Sequence, residues 1–168
     1  LKETYNRFLP TAKQNYLEFN LQLPEKDFYA PVDKEALTKI LSNLFNNAVK
    51  YAQSNIIAQL DIQPESNPNM FMITVSNDGT LIPKDMEEDI FKPFVQIKNT
   101  DNGQRTAGTG IGLPLARSLA ELHKGKLYLK NEDQICFCVE LPITQENVIQ
   151  LSKHYIEDSP NIPDRHLA

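Results

Sequence analysis

The chain has 168 residues, 40% of them hydrophobic and 23% charged, with a formal net charge of −5, which suits one globular domain with a real core. That acidic balance argues against nucleic acid or an anionic membrane as the main partner. No apolar run approaches the ~20 residues that span a bilayer, and no signal-peptide pattern opens the chain. Leu1 in place of Met leads us to expect a piece of a longer protein.

Residues 1–15 read as a helical remnant entering the domain, interrupted at Pro10. Leu17, Phe19, Leu21 and Leu23 alternate with polar residues and predict a half-buried strand over Tyr16–Leu23. Asp33 is a good N-cap for a helix to about Ala52, with Leu37, Ile40, Leu41, Leu44, Ala48 and Ala52 at helical spacing on the core face. Two strands follow, Ile56–Ile62 and Met70–Ser76, joined by a turn at 64–69. After Gly79 the chain becomes irregular, with a short acidic helix around Met86–Ile90 and a polar loop through residues 95–109. A helix over Ile111–His123 tolerates Pro114 in its first turn, uses Leu115, Ala116, Leu119, Ala120 and Leu122 as its apolar side, and stops at Gly125. Strands Lys126–Lys130 and Gln134–Leu141 close the domain as a hairpin through Asn131. Beyond Pro142 the pattern weakens, with a helix conceivable at 145–156 and linker-like residues after it. Strands that do not alternate regularly with helices predict an α+β two-layer sandwich, a mixed and mostly antiparallel sheet with helices on one face.

Cys136 and Cys138 stand two apart on a strand, so their side chains run parallel on one face, a poor geometry for bridging each other. A Cys-x-Cys metal half-site lacks a second pair at a plausible spacing, and His123, His154 and His166 are scattered. Free thiols and a reducing compartment follow.

Gly108-Thr109-Gly110-Ile111-Gly112-Leu113 places three glycines at every second position before a helix. Glycine lets backbone approach a ligand closely, and the helix start offers unpaired N–H groups and a positive dipole end, which suit phosphate. Upstream, Asn43, Asn47 and Lys50 fall within about 60° of one another on a helix surface. A carboxamide oxygen there suits Mg²⁺ that already carries triphosphate oxygens, and a lysine one turn on neutralises phosphate charge. Asn77-Asp78-Gly79 ends a strand, where a side-chain oxygen can accept from the adenine amine and Gly79 lets the base approach. Taken singly each pattern also fits a turn or a polar helix edge; their order along the chain points to ATP.

Together these segments resemble the catalytic ATP-binding domain of sensor histidine kinases, in the GHKL superfamily with the Bergerat fold. Asn43–Ala52 is similar to the N box, Ser76–Pro83 to the G1 box, Ile90–Gln96 to the F box and Gly108–Leu127 to the G2 box with its helix, so the likeness covers residues 16–143. The resemblance implies Asn47 as the Mg²⁺ ligand, Asn43 and Lys50 near the phosphates, and Tyr51 beside the nucleotide. It puts Asn77, Asp78, Gly79 and Ile82 in the adenine-side box. Phe91 and Phe94 would anchor an ATP lid from Val95 to Ala107. Gly108, Thr109, Gly110, Ile111, Gly112 and Leu113 would meet the phosphates. Three positions depart from the family's pattern: Asn77 for the usual Asp, Leu81 for a glycine, and Gln96 where Arg is common.

Residues 1–15 would then end the linker from an upstream dimerising helix that carries the acceptor histidine, and residues 144–168 would be a linker or appended helix. The implied function is γ-phosphoryl transfer from Mg-ATP to that histidine. The implied partners are the acceptor domain, a second copy in a homodimer, and a response regulator or receiver domain. The implied location is the cytoplasmic side of a membrane-anchored sensor, with no membrane insertion of this piece. A hydrolytic relative of the gyrase, chaperone or mismatch-repair type would carry Glu four residues before the Mg²⁺ ligand, where this chain has Asn43. A non-catalytic nucleotide-sensing module is the third reading, motivated by Asn77, Leu81 and Gln96.

Overall fold

The computed structural model describes residues 1–25, 29–62, 69–97 and 108–143. Three helices, α1 (Lys2–Gln14), α2 (Lys34–Tyr51) and α3 (Gly112–Leu122), lie against a sheet of β1 (Glu18–Gln22), β2 (Asn55–Ile62), β3 (Met70–Asn77), β4 (Lys126–Asn131) and β5 (Ile135–Pro142). The strand order is β1-β2-β3-β5-β4, with β1 parallel to β2 and every other pair antiparallel. This is the mixed, mostly antiparallel α+β sandwich that the alternation patterns predict.

The inner face of the sheet carries Phe19, Ile56, Ala58, Phe71, Ile73, Val75, Leu127, Phe137, Val139 and Leu141, all buried in one cluster with Ile40, Leu41, Leu44, Phe45 and Ala48 of α2. At about 25 cal/mol per Å² of apolar surface, a cluster of this kind is the main force holding the helices to the sheet. Asp33 caps α2 by accepting from the Ala36 N–H at 2.8 Å, as its position before the apolar stripe predicts.

Several boundaries differ from the sequence reading. Helix α1 runs through Pro10, because Pro10 and Asn6, whose carbonyl loses its partner, are both exposed. Thr4 and Ala12 of α1 are buried, and Tyr5 stacks edge-on against Phe19 while its hydroxyl donates to the Phe19 carbonyl at 2.8 Å. Tyr16 belongs to the end of α1 rather than to the first strand. Its φ of 57° closes a left-handed cap in which Tyr16 N–H donates to Lys13 and Leu17 N–H to Ala12. Leu23, expected inward, is 44% exposed beyond the end of β1.

Helix α3 ends in the same motif, with Lys124 N–H donating to Glu121 and Gly125 N–H to Ala120. Lys124, not Gly125, takes the left-handed conformation, at φ 60°. Gly125 is needed for another reason: a Cβ there would collide with the Glu140 carbonyl. Leu115 and Leu122, assigned to the apolar side of α3, are 42% and 75% exposed, and the buried stripe is instead Ala116 and Ala120. Small residues at that spacing let α2 and α3 approach closely. The acidic helix expected near Met86–Ile90 is two 3-10 turns, Lys84–Met86 and Asp89–Phe91. The segments at 98–107, 144–156 and the chain end lie outside the described residues.

Candidate functional site

The site forms where the second half of α2, the end of β3 and the start of α3 converge. Asn43 lies against the first turn of α3: a Cβ on Gly112 would stand 2.9 Å from its Oδ1. Two turns along α2, about 10 Å at 1.5 Å per residue, Lys50 reaches Gly108, where a Cβ would stand 2.9 Å from its Nζ. Asn47 sits between them, half-buried. Among the described residues, none of these three side chains makes a hydrogen bond or ion pair; Lys50 has only the Tyr51 ring, 4.8 Å from its Nζ. A row of two carboxamides and a cation with uncommitted polar atoms, facing glycines, is a cradle for a polyanion.

The glycine turn is held from below. Gly110 has φ 67°, a conformation that favours glycine, and a Cβ there would stand 2.8 Å from Phe94 Cα. Phe94 N–H donates to the Gly110 carbonyl at 2.9 Å, and Gln96 Nε2 donates to the Gly108 carbonyl. These two rungs tie both ends of the polar loop together. Ile111 is the N-cap residue of α3 and supplies no side-chain cap, so the first-turn N–H groups keep no side-chain acceptor. Thr109 is exposed beside it, Ile111 is 42% exposed, and Leu113 packs on the core.

The two phenylalanines part ways. Phe91 is buried, edge-on to Phe137 at 6.2 Å, with the Arg117 guanidinium 3.5 Å above its ring. Phe94, expected as the second anchor, is 76% exposed, because its φ of 66° turns the side chain outward. Its backbone meets the glycine turn.

At the adenine-side turn, Asn77 is the last residue of the central strand β3 and is 2% exposed. Its Oδ1 accepts from the Gly79 N–H at 3.0 Å, which fixes the oxygen's position. Gly79 rides directly on the Tyr51 carbonyl, a contact that excludes any Cβ. Asp78 points the other way. Its carboxylate accepts from the backbone N–H of Gln53 at 2.9 Å, Ser54 at 3.0 Å and Asn55 at 3.1 Å, and from the Ser54 hydroxyl. Partial burial pushes the carboxyl up, but these hydrogen bonds outweigh it and hold its pKa well below the usual carboxylate range. Asp78 therefore fastens the end of α2 to the turn after β3.

Two positioning residues were given no part in the site by sequence, and a third was given another. Asn131, at the end of β4, accepts from Ile82 N–H at 3.0 Å, and its amide donates to the Ile82 carbonyl at 2.6 Å and to Glu87 at 2.9 Å. Arg117 joins α3 to β4 through the Leu127 carbonyl at 3.1 Å and to Glu88 at 3.1 Å. Gln96 drew notice only as a missing cation. Strand-end Asn and mid-helix Arg carry no local signal, because their partners are 49 and 10 or 29 residues away.

Sheet, glycine turn and polar helix row thus define a nucleotide-binding domain of the α+β sandwich type. It superposes on the catalytic domain of the histidine kinase ThkA with a TM-score of 0.71 at 25% identity, covering 85% of this chain and 90% of that one. The model of the histidine kinase-, DNA gyrase B- and HSP90-like ATPases matches residues 32–145, well over half of the chain, and the chain belongs to that family. Among curated relatives, the sensor histidine kinase WalK of Bacillus subtilis is 28% identical over 117 residues, 70% of this chain and 19% of its own length. The sensor histidine kinase RppB of Synechocystis is 31% identical over 138 residues, 81% of this chain and 30% of its own length. The chain thus spans less than a third of either. ThkA has also been solved in complex with the response regulator TrrA, and there the likeness has a TM-score of 0.68 at 24% identity, over 87% of this chain and 40% of that one.

Proposed function

We propose that this chain is the ATP-binding catalytic domain of a two-component sensor histidine kinase, which positions Mg-ATP for γ-phosphoryl transfer to a histidine on a separate helical domain. The observation that carries the reading is the row Asn43, Asn47 and Lys50 facing Gly108 and Gly112, with an amide at the first position. A carboxamide cannot take a proton from water at neutral pH, so Asn43 provides no general base and water gains no activation there. Transfer to a positioned acceptor needs orientation and charge neutralisation, which amides, a lysine and backbone N–H groups supply.

The donor set fits the metal and the nucleotide. Asn47 offers a neutral hard oxygen, uncommitted among the described residues, and would hold Mg²⁺, whose role when bound is to neutralise phosphate charge. Lys50 and the first-turn N–H groups of α3 would bind phosphate oxygens, and Gly108, Gly110 and Gly112 keep that approach clear. Asn77 Oδ1 would accept from the adenine amine, with Gly79, Ile82 and Tyr51 around the base. Gln96, in place of a cation, would hold the base of the lid through Gly108.

No helix among the described residues is long and apolar enough to cross a membrane. We place it on the cytoplasmic side of a sensor, with a dimeric acceptor domain as one partner and a response regulator as another, the latter supported by the ThkA–TrrA complex. The test is transfer of label. With radiolabelled ATP and Mg²⁺ the chain alone should acquire no acid-labile, base-stable label and hydrolyse ATP only slowly. Adding a histidine-bearing helical pair should yield phosphohistidine on that partner. Brisk hydrolysis, or self-labelling at His123, His154 or His166, would overturn the proposal.

A further inference from the structure

The outer face of the sheet, opposite the helices, holds a thiol pair that the nucleotide site does not use. Cys136 and Cys138 lie on β5 with their sulfurs 3.8 Å apart, within hydrogen-bond contact for sulfur. Cys138 is fully buried, whereas Cys136 is only partly buried. The flanking strands give the two thiols different surroundings. Lys130 stands directly across from Cys136 on β4, and Tyr128 across from Cys138. On the other side β3 presents only Ser76 and Thr74 to them. Of the other charged groups on this face, Lys126 and Glu140 pair with each other at 3.2 Å, and Glu140 also takes the Tyr128 hydroxyl at 2.7 Å; Asp61, on β2, accepts from the Gln59 amide at 2.9 Å, and Glu18 stands beyond it on the edge strand β1. Lys130 is thus the cation that faces Cys136, while Tyr128 gives its hydroxyl to Glu140 and also interacts with the Cys138 thiol.

We propose that Cys136 is a site of reversible thiol–disulfide exchange with low-molecular-weight disulfides, and that Cys138 is the internal donor that supports its thiolate. With Cys138 as the donor across the 3.8 Å contact, the pKa of Cys136 is lowered, and Lys130 lowers it further against the effect of burial. The same hydrogen bond and its own burial push the Cys138 thiol up, so it keeps its proton. In the reaction the Cys136 thiolate attacks one sulfur of the small disulfide. A new S–S bond forms to Cys136, the old one breaks, and the other half leaves as a thiolate. Cys138 then cannot displace the adduct readily, because it is protonated, enclosed, and two residues along the same strand with a parallel side chain. A stable mixed disulfide is the product, not an internal bridge.

The experiment is exposure of the full chain to oxidised glutathione, with intact-mass and peptide mapping, and the rate followed against pH. One adduct should form on Cys136, removable by dithiothreitol, with a rate midpoint below the free-thiol value of about 8.5. Cys138→Ala should slow the reaction several-fold near neutral pH and move the midpoint up, while Cys138→Ser, which retains an O–H donor, should keep most of the rate. Lys130→Met, on the surface, should move the midpoint the same way by a smaller amount. An adduct on Cys138, a mass loss of two hydrogens, or a midpoint unchanged in Cys138→Ala and Lys130→Met would overturn the proposal.

Discussion

Replacing Asp78 by alanine removes one acceptor from four donors at the junction of α2 and β2. Hydrogen bonds to a charged group contribute about 1.5–3 kcal/mol each when buried, but Gln53 and Ser54 are exposed and water can serve them. Only the Asn55 N–H is partly buried. Taking ~1.5 kcal/mol for Asn55 and a few tenths to ~0.5 for each of the others gives a loss of about 2–3 kcal/mol. At ~4 °C per kcal/mol for a domain of this size, the melting temperature should fall by about 10 °C. Calorimetry or denaturant titration reads this directly. The pH dependence carries a sign as well. A carboxylate depressed in the folded state stabilises fully above its unfolded value of about 4, and that contribution is lost as pH falls through the folded value. Asp78→Asn, which keeps one acceptor oxygen, should be destabilised less at neutral pH and should show a shallower acid limb. A melting temperature within about 2 °C of the parent for Asp78→Ala would refute the reasoning.

Asn77→Ala should weaken ATP binding while GTP remains poor in both forms, since guanine carries a carbonyl where adenine has the amine that Asn77 would read; Asn77→Asp should tighten ATP binding. Equal ATP affinities for the parent and Asn77→Ala, with loss in Asp78→Ala, would put the adenine contact one residue later. Gly110→Ala sets a Cβ 2.8 Å from Phe94 Cα at φ 67°, and should cost about 1–2 kcal/mol from the left-handed conformation alone, plus the displacement of Phe94. Its affinity for ATP should also fall, as read by calorimetric titration. Arg117→Ala removes a stacked guanidinium and a hydrogen bond to β4, a loss of about 2 kcal/mol by thermal melting, with Arg117→Lys recovering little of it.

Much of this fold was legible because the core-forming elements obey simple periods. The alternation in Phe71, Ile73, Val75 and in Ile135, Phe137, Val139, Leu141 places one face of β3 and β5 inward, and the Asp33 cap fixes the start of α2. The candidate site was legible where backbone demands a residue type, as at Gly79 and Gly110, whose backbone neighbours leave no room for a Cβ. What escaped depends on contacts remote in sequence or on choices sterics leave open. Tyr16, Phe94 and Lys124 take positive φ although none is glycine, because helix caps and the glycine turn impose it. That conformation is why the Phe94 side chain faces solvent while its backbone N–H bonds to the Gly110 carbonyl. Leu115 and Leu122 satisfy the helical period yet lie outside, since α3 approaches α2 along its alanines instead. Asn77 and Asp78 are adjacent polar residues that a pattern cannot separate; only the amides of residues 53–55 show which one is committed to holding the chain.

The most direct test of the account is calorimetric titration of the chain with ATP, with and without Mg²⁺, for the parent and Asn47→Ala. The parent should bind ATP more tightly with Mg²⁺. Asn47→Ala should lose that Mg²⁺-dependent increment while melting within about 2 °C of the parent, because its side chain is half-buried and bonds to none of the described residues. An undiminished Mg²⁺ increment in Asn47→Ala, or no ATP binding by the parent, would contradict it.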